Sequence, residues 1–130
     1  MKTILFVEDD PIIIQVYRPA LAKAGFRVEV AGDGLAAMRI ALQLRPDLVL
    51  LDVMMPKVDG LYVLKYLRSR PELKHTKVVV LSDASLADAG KDTVAQNPDR
   101  VFLKSQSTPK DLVKGVNELL GNEGPASPPS

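Results

Sequence analysis

The sequence predicts an α/β domain built on a parallel five-stranded sheet, because short apolar runs alternate with segments of helical periodicity. The run at residues 48–51 is unbroken, as in a strand buried on both faces of a sheet, and it ends on Asp52. The run at residues 4–7 ends in the same way on Glu8 and Asp9. Ligands of open α/β sheets bind at the carboxyl ends of strands, so these acids are candidate functional residues.

The first strand is predicted at residues 3–7 and the first helix directly after it. Asp10 is a suitable N-cap, with Pro11 in the first turn. Pro19 removes a hydrogen bond inside the helix and predicts a kink, and Gly25 ends the helix. The residues predicted to face inward are Ile13, Val16, Tyr17, Ala20 and Ala24.

The middle of the chain repeats this alternation. A second strand is predicted at residues 27–31, then a helix from the N-cap Asp33 to about residue 44, which Pro46 stops. Its inward residues are predicted to be Leu35, Met38 and Leu42. The central strand follows at residues 48–51, and a helix at residues 61–69 is closed by Pro71.

The last part of the chain holds two more strands and two more helices. A strand at residues 77–81 ends on Ser82, and a weaker helix between residues 85 and 97 carries a capping-box-like start. A fifth strand at residues 101–103 ends on Lys104. Thr108 and Asp111 form a second box-like cap for the final helix, which ends at Gly121. Its apolar stripe is predicted to be Leu112, Val113, Val116, Leu119 and Leu120.

Length and composition limit the classes of function. The 130 residues suit one domain, predicted at residues 1–121, followed by a disordered tail or truncated linker at residues 122–130. The net charge of +1 gives no electrostatic reason to expect direct nucleic-acid or membrane partners. The absence of cysteine excludes disulfides and thiolate sites. No apolar run approaches the roughly 20 residues of a membrane span, and we expect a cytoplasmic protein.

The polar residues at four strand ends predict phosphoryl chemistry. Parallel strands would bring Glu8, Asp9, Asp52, Ser82 and Lys104 to one edge. Crowded carboxylates repel one another, and Mg²⁺ relieves this while keeping water ligands for a phosphate. A carboxylate can accept a phosphoryl group, and a hydroxyl and an ammonium beside it can orient the phosphoryl oxygens.

The chain resembles the receiver domains of two-component response regulators over residues 2 to about 120. The resemblance is carried by the pair Glu8 and Asp9, the segment 52–60, Ser82 and Lys104. It implies a flavodoxin-like, doubly wound parallel sheet of strand order 2-1-3-4-5 with five helices. The order comes from the resemblance and not from the sequence pattern.

The resemblance also implies a metal site. Asp9 and Asp52 would bind Mg²⁺ directly, and Glu8 would act through water. The backbone carbonyl of Met54 would supply a further ligand. A single cofactor, Mg²⁺, is therefore expected.

For the phosphoryl group, the resemblance implies a switch. Asp52 would be the phosphoacceptor, supplied by a sensor histidine kinase, a phosphotransfer protein or a small phosphodonor. Lys104 would pair with the phosphoryl group, and Ser82 would move toward it and pull its loop inward. The chain would then bind a downstream protein partner, with a phosphorylation-dependent homodimer as one form of output. Apart from its own phosphorylation and dephosphorylation, no enzyme activity is expected.

Three departures from the family pattern leave an alternative open. Asp83 replaces the usual small residue after the switch hydroxyl, Ser105 the usual proline after the lysine, and Val101 the usual aromatic residue of the last strand. They favour a receiver-like interaction module that needs no phosphate, whereas the intact acids and lysine oppose it. A flavoprotein or a phosphatase on the same fold fits less well. No aromatic residues cluster near the strand ends, and position 54 lacks the second acid of aspartyl phosphatases.

Overall fold

The structure is a computed structural model that describes residues 1–52, 60–82, 98–104 and 107–121. The strands are β1 (Thr3–Val7), β2 (Arg27–Ala31), β3 (Leu48–Asp52), β4 (Lys77–Ser82) and β5 (Arg100–Leu103). The helices are α1 (Pro11–Lys23), α2 (Gly34–Leu44), α3 (Gly60–Ser69) and α4 (Pro109–Leu120), with a short 3-10 helix at Pro71–Leu73.

The five strands form one parallel sheet in the order β2-β1-β3-β4-β5. The predicted fold class and strand order are therefore confirmed. Four of the five predicted helices lie in the described part of the chain. The remaining one, predicted between residues 85 and 97, lies outside the described residues, as does the predicted tail at 122–130.

Helices cover both faces of the sheet. Alternate residues of β3 point into two apolar layers, and all of its residues are buried. Val49 and Leu51 pack in the layer that includes α2 and α3. Leu48 and Leu50 pack in the layer of α1 and α4. This two-sided burial explains why the run is continuously apolar.

The predicted helix caps are present. Asp10 accepts a hydrogen bond from the Ile12 amide at 2.9 Å, and Asp33 accepts one from the Ala36 amide at 2.8 Å. The first helix continues past its internal proline as one element. In α4 the capping box is reciprocal, and a left-handed glycine ends the helix, as predicted.

Two predicted inward residues point to solvent instead. Val16 is 44% exposed and Leu35 is 71% exposed. In α1 the buried residues are Tyr17 and Leu21, one turn apart, so the inner stripe is centred one position later than predicted. For the same reason, Leu21 was not among the residues predicted to face inward. In α2 small residues make the closest approach to the sheet, and Leu35 lies outside that contact.

Within the described residues, no helix combines the length and apolarity required to span a membrane.

Candidate functional site

Strand register brings the predicted site residues to one edge of the sheet. Val7 lies opposite Leu51, so Glu8 and Asp52 follow neighbouring strands at the same level. The strand order changes direction between β1 and β3, and an open α/β sheet forms its binding crevice at the carboxyl ends of such a pair. The two acids therefore meet because of the parallel register and not because of loop conformation.

The other half of the site comes from the next two strands. Asp52 pairs with Leu81, which places Ser82 one residue further along the edge. Ser82 in turn pairs with Leu103, so Lys104 follows one residue beyond the level of Ser82. Ser82 is buried. All five predicted side chains thus belong to one edge.

Three carboxylates converge at this edge. Glu8, Asp9 and Asp52 each offer an oxygen atom, and these atoms lie within 4.8 Å of one another. Glu8 and Asp52 are buried and Asp9 is exposed, so the group opens to solvent on one side. Such a set of oxygen atoms suits a hard divalent cation such as Mg²⁺.

Glu8 is a fully buried carboxylate with incomplete hydrogen bonding. Its Oε2 accepts from the amides of Asp9 at 3.2 Å and Asp10 at 3.4 Å. Its Oε1 is buried and accepts no hydrogen bond from the described residues, although Lys104 Nζ lies 3.5 Å away. Burial, and then the neighbouring Asp52, raise the pKa of Glu8 to about 8. The folded chain thus holds an acid that lacks a full set of partners.

Lys104 supplies the compensating charge. Its Nζ donates to Asp52 Oδ2 at 2.8 Å. Burial acts to lower the pKa of Lys104, but the hydrogen bond to Asp52 and the charges of Asp52 and Glu8 outweigh it and raise the pKa. The ammonium therefore stays charged where a phosphoryl group on Asp52 would need a cation.

Tyr17 is a neighbour of the site that sequence reasoning assigned only to the core. Its hydroxyl donates to the Ser107 carbonyl at 3.3 Å, and its ring meets Phe6 edge-on with centroids 6.5 Å apart. The bond joins α1 to the connection that follows Lys104. A tyrosine on the inner face of a helix needs a hydrogen-bond partner for its hydroxyl. That requirement is the feature of the sequence that could have indicated a polar contact at Tyr17.

The residues present fit Mg²⁺. The donor set is made of carboxylate oxygens, one of them buried and without a hydrogen bond, and within the described residues Lys104 pairs with two of the three acids. A divalent cation would balance this excess of negative charge. The predicted Met54 carbonyl ligand lies outside the described residues. Three residues depart from the family pattern. Val101 lies on β5 and is 40% exposed. Asp83 and Ser105, like Met54, lie outside the described residues.

Comparison with known proteins gives one consistent result. The family model described as "Response regulator receiver domain" matches residues 4–117. The polar-differentiation response regulator DivK of Brucella anthropi is 26% identical over 121 residues, covering 93% of this chain and 98% of that protein.

Solved structures agree with this assignment. The chemotaxis response regulator CheY4 of Vibrio cholerae superposes with a TM-score of 0.84 at 28% identity, covering 92% of this chain and 99% of that one. The receiver domain of the sensor histidine kinase PA1611 from Pseudomonas aeruginosa gives 0.84 at 24% identity, with 92% and 98% covered. That receiver coordinates a magnesium ion in its active-site cleft. At this identity the likeness to this chain is one of fold.

Proposed function

This chain belongs to the response regulator receiver domain family, and from that premise we propose that it is a switch controlled by Mg²⁺-dependent phosphorylation of Asp52. The observation that carries the proposal is the convergence of Glu8, Asp9 and Asp52 beside Lys104. A buried acid with an unsatisfied oxygen is costly, and such groups are typical of functional sites.

Asp52 is the nucleophile in this proposal. One of its carboxylate oxygens attacks the phosphorus of the donor and forms an acyl phosphate. The bond from phosphorus to the donor breaks, which is the bond to the imidazole nitrogen when the donor is a phosphohistidine, and its electron pair leaves with the donor. Bound Mg²⁺ would supply charge stabilisation of the phosphoryl oxygens. Glu8 and Asp9 would hold it, together with Asp52.

Lys104 and Ser82 respond to the new group. The Lys104 ammonium donates to Asp52 before transfer, and after transfer it can donate to a phosphoryl oxygen instead. Ser82 carries a hydroxyl at the same sheet edge and can donate to another oxygen. The response of Ser82 would couple phosphorylation to β4 and the segment that follows it. Hydrolysis by water would return Asp52 to its starting state.

The proposal also assigns partners. A sensor histidine kinase or phosphotransfer protein would supply the phosphate, and a downstream protein would bind according to the state of Asp52. The chain acts on itself and on no separate substrate, and we place it in the cytoplasm with its phosphate source.

Intact-mass measurement tests the proposal. The protein is incubated with a small phosphodonor such as acetyl phosphate, with Mg²⁺ or with a chelator. We expect the mass of one added phosphoryl group only when Mg²⁺ is present. Asp52→Asn should remain unlabelled. The control variant is Glu29→Gln, because the Glu29 side chain is exposed. Asp47→Asn is not suitable, because the Asp47 carboxylate accepts a hydrogen bond from the Thr3 amide. Equal labelling of Asp52→Asn, or labelling in chelator, would contradict the proposal.

A further inference from the structure

The outer face of α3 carries aromatic and basic side chains that the core does not use. Its inner residues Val63, Leu64 and Leu67 are buried in the layer shared with α2. On the other side Tyr62 is 60% exposed, and Lys65 is exposed one turn before Ser69. A largely exposed tyrosine contributes little to folding, and its ring is accessible to a ligand.

These side chains enclose a depression. Tyr62, Lys65, Tyr66 and Ser69 line a volume of about 210 Å³. The Tyr66 ring is held in place by the Arg70 guanidinium, whose carbon lies 5.7 Å from the ring centroid. The site therefore has one fixed aromatic wall and one exposed aromatic wall. We refer to Tyr62, Lys65, Tyr66 and Ser69 as the α3 surface.

The polar ends of the α3 surface have no partners within the described part of the protein. The hydroxyls of Tyr62 and Tyr66 and the ammonium of Lys65 form no hydrogen bond or ion pair there, whereas Ser69 Oγ donates to the Tyr66 carbonyl. Arg68 is committed to Asp99 at 2.7 Å and Arg70 to Glu72 at 2.7 Å. Two aromatic hydroxyls and one ammonium remain available to a ligand.

Basic residues are concentrated in the segment of the chain that contains α3. Residues 60–77 contain five of the 17 basic residues and one of the 16 acidic residues, which leaves 12 basic and 15 acidic residues elsewhere. The segment is thus net +4 and the rest of the chain net −3. Within the described residues, neither Lys65 nor Lys74 forms an ion pair. Because Arg68 and Arg70 are neutralised by Asp99 and Glu72, Lys65 is the cation that the α3 surface offers to an anionic group.

We propose that the α3 surface binds an acidic segment of a partner protein, with an apolar side chain of that segment between the two tyrosines. Tyrosine and arginine are enriched at the centres of protein interfaces, where a ring offers contact area at a low cost in side-chain entropy. A carboxylate of the partner would pair with Lys65. A nucleic-acid ligand fits less well, because the net charge of the whole chain is only +1.

The position of α3 gives the surface a route to the switch. The helix begins at Gly60, eight residues after Asp52, and it is the first described element downstream of β3. It packs on the sheet face opposite α1 and α4. Its role as an output surface rests on the proposed phosphorylation of Asp52, whereas binding of the acidic segment does not.

Peptide titration followed by backbone NMR tests the proposal. The probe is a short synthetic peptide of glutamates with two leucines one helical turn apart, and the control peptide carries lysines in place of the glutamates. We expect shift changes confined to residues 60–77. We expect the dissociation constant to rise about fivefold in Lys65→Glu and about tenfold in Tyr62→Ala. Lys110→Glu makes the same charge change on exposed α4 and should leave the affinity unchanged.

The outcomes separate the competing explanations. If Lys65→Glu and Lys110→Glu weaken binding of the acidic peptide equally, the affinity depends on the overall charge of the protein and the proposal is overturned. Shift changes centred on α1 or α4, equal binding of the lysine peptide, or tighter binding of oligo(U) at the same salt concentration would also overturn it. Thermal melts of each variant exclude unfolding as the cause.

A second comparison separates this inference from the proposed function. The parent protein is titrated with and without Mg²⁺ and beryllofluoride, a phosphate mimic. Peptide binding that is equal in both states would overturn the role of the α3 surface as an output of the switch, while the intact-mass measurement decides separately whether Asp52 is phosphorylated. A parent protein that binds no peptide in either state would overturn the α3 surface and leave the switch intact.

Discussion

Glu8 and Asp52 are buried acids in a part of the sheet where an apolar residue would pack without cost. Removing a carboxylate from water costs several kcal/mol unless opposite charges and hydrogen bonds replace the lost solvation. Lys104 compensates for part of this, and Glu8 Oε1 still lacks a hydrogen bond within the described residues. The arrangement lowers the stability of the metal-free protein, and it gives a cation a strong electrostatic reason to bind.

Mg²⁺ should therefore stabilise the fold measurably. At ten times its dissociation constant, a ligand that binds only the native state adds about 1.4 kcal/mol, which raises the melting temperature of a chain of this size by about 5 °C. Asp9→Asn removes the exposed carboxylate of the cluster and should abolish most of this rise. Calorimetric melts with Mg²⁺ or chelator measure it. Glu29→Gln is the control, since its exposed pair with Arg27 lies on β2. An equal rise in Asp9→Asn would exclude this site.

The convergence of Glu8, Asp9, Asp52 and Lys104 at one edge of the sheet could be predicted, but the contacts among them could not. Each candidate stands at the end of an apolar run, and parallel strands bring such ends together. The contact of Lys104 with Asp52 is different, because β5 and β3 are separated by β4. It depends on a long side chain that extends over a neighbouring strand. The sequence pattern does not show in which direction the Lys104 side chain extends.

Gly115 is a buried glycine inside α4 that packs against Phe102 of β5. A Cβ atom at this position would collide with the ring of Phe102. That ring is held on another side by Arg100, whose guanidinium carbon lies 5.2 Å from its centroid and which also pairs with Glu118 at 2.9 Å. A glycine inside a helix is normally unfavourable, so close packing is the reason for this one.

Gly115→Ala should consequently destabilise the protein, although alanine is the better helix former by about 1 kcal/mol. Overpacking costs about 1–3 kcal/mol, and we expect a net loss of about 1 kcal/mol in urea denaturation. Phe102→Leu in the same chain should recover part of the loss because it shortens the opposing side chain. Gly32→Ala is the matched control, since a Cβ there meets nothing within 4 Å. A more stable Gly115→Ala protein would contradict the packing argument.

The capping box of α4 gives a pH-dependent contribution to stability. The hydrogen bond from the Thr108 amide lowers the pKa of Asp111 below its ordinary value of 3.8. Because the folded pKa is the lower one, the contribution is complete above the unfolded pKa and is lost as the pH falls through the folded pKa. Asp111→Asn should melt about 2 °C below the parent at neutral pH, and the difference should vanish in strong acid. A difference that persists unchanged in acid would show that charge is not the cause.

Elements were predictable where local chemistry defines them. Asp10, Asp33 and Thr108 cap the helices as expected, because a cap depends on residues within one turn. The inward faces were predicted less well. Val16 and Leu35 are apolar and lie near the inner stripe, and only the packing partner decides which side of the stripe is buried.

At the scale of the molecule, the strand order could not be obtained from the sequence pattern. Alternating strands and helices predict a parallel sheet, but they allow several orders of five strands. The order depends on which strands pair across long separations, and here the resemblance to receivers supplied it. The sheet places the acids at the ends of β1 and β3 and Lys104 after the edge strand β5, so the Lys104 side chain offers a signal from Asp52 a direct path to the connection that leads into α4.

The α4 and β5 side of the molecule is built to resist that signal. Val101 has one stiff torsion and little area to move, where an aromatic ring could exchange between two positions. Phe102 is confined between Gly115 and Arg100. We expect beryllofluoride with Mg²⁺ to produce large backbone shift changes near Ser82 and small ones across Lys104 to Val116. Val101→Tyr restores the missing ring and should enlarge the changes on α4, whereas Val101→Ile, which keeps the stiff torsion, should not. Changes on α4 in the parent that match those near Ser82 would show that this side of the domain carries the signal without an aromatic residue.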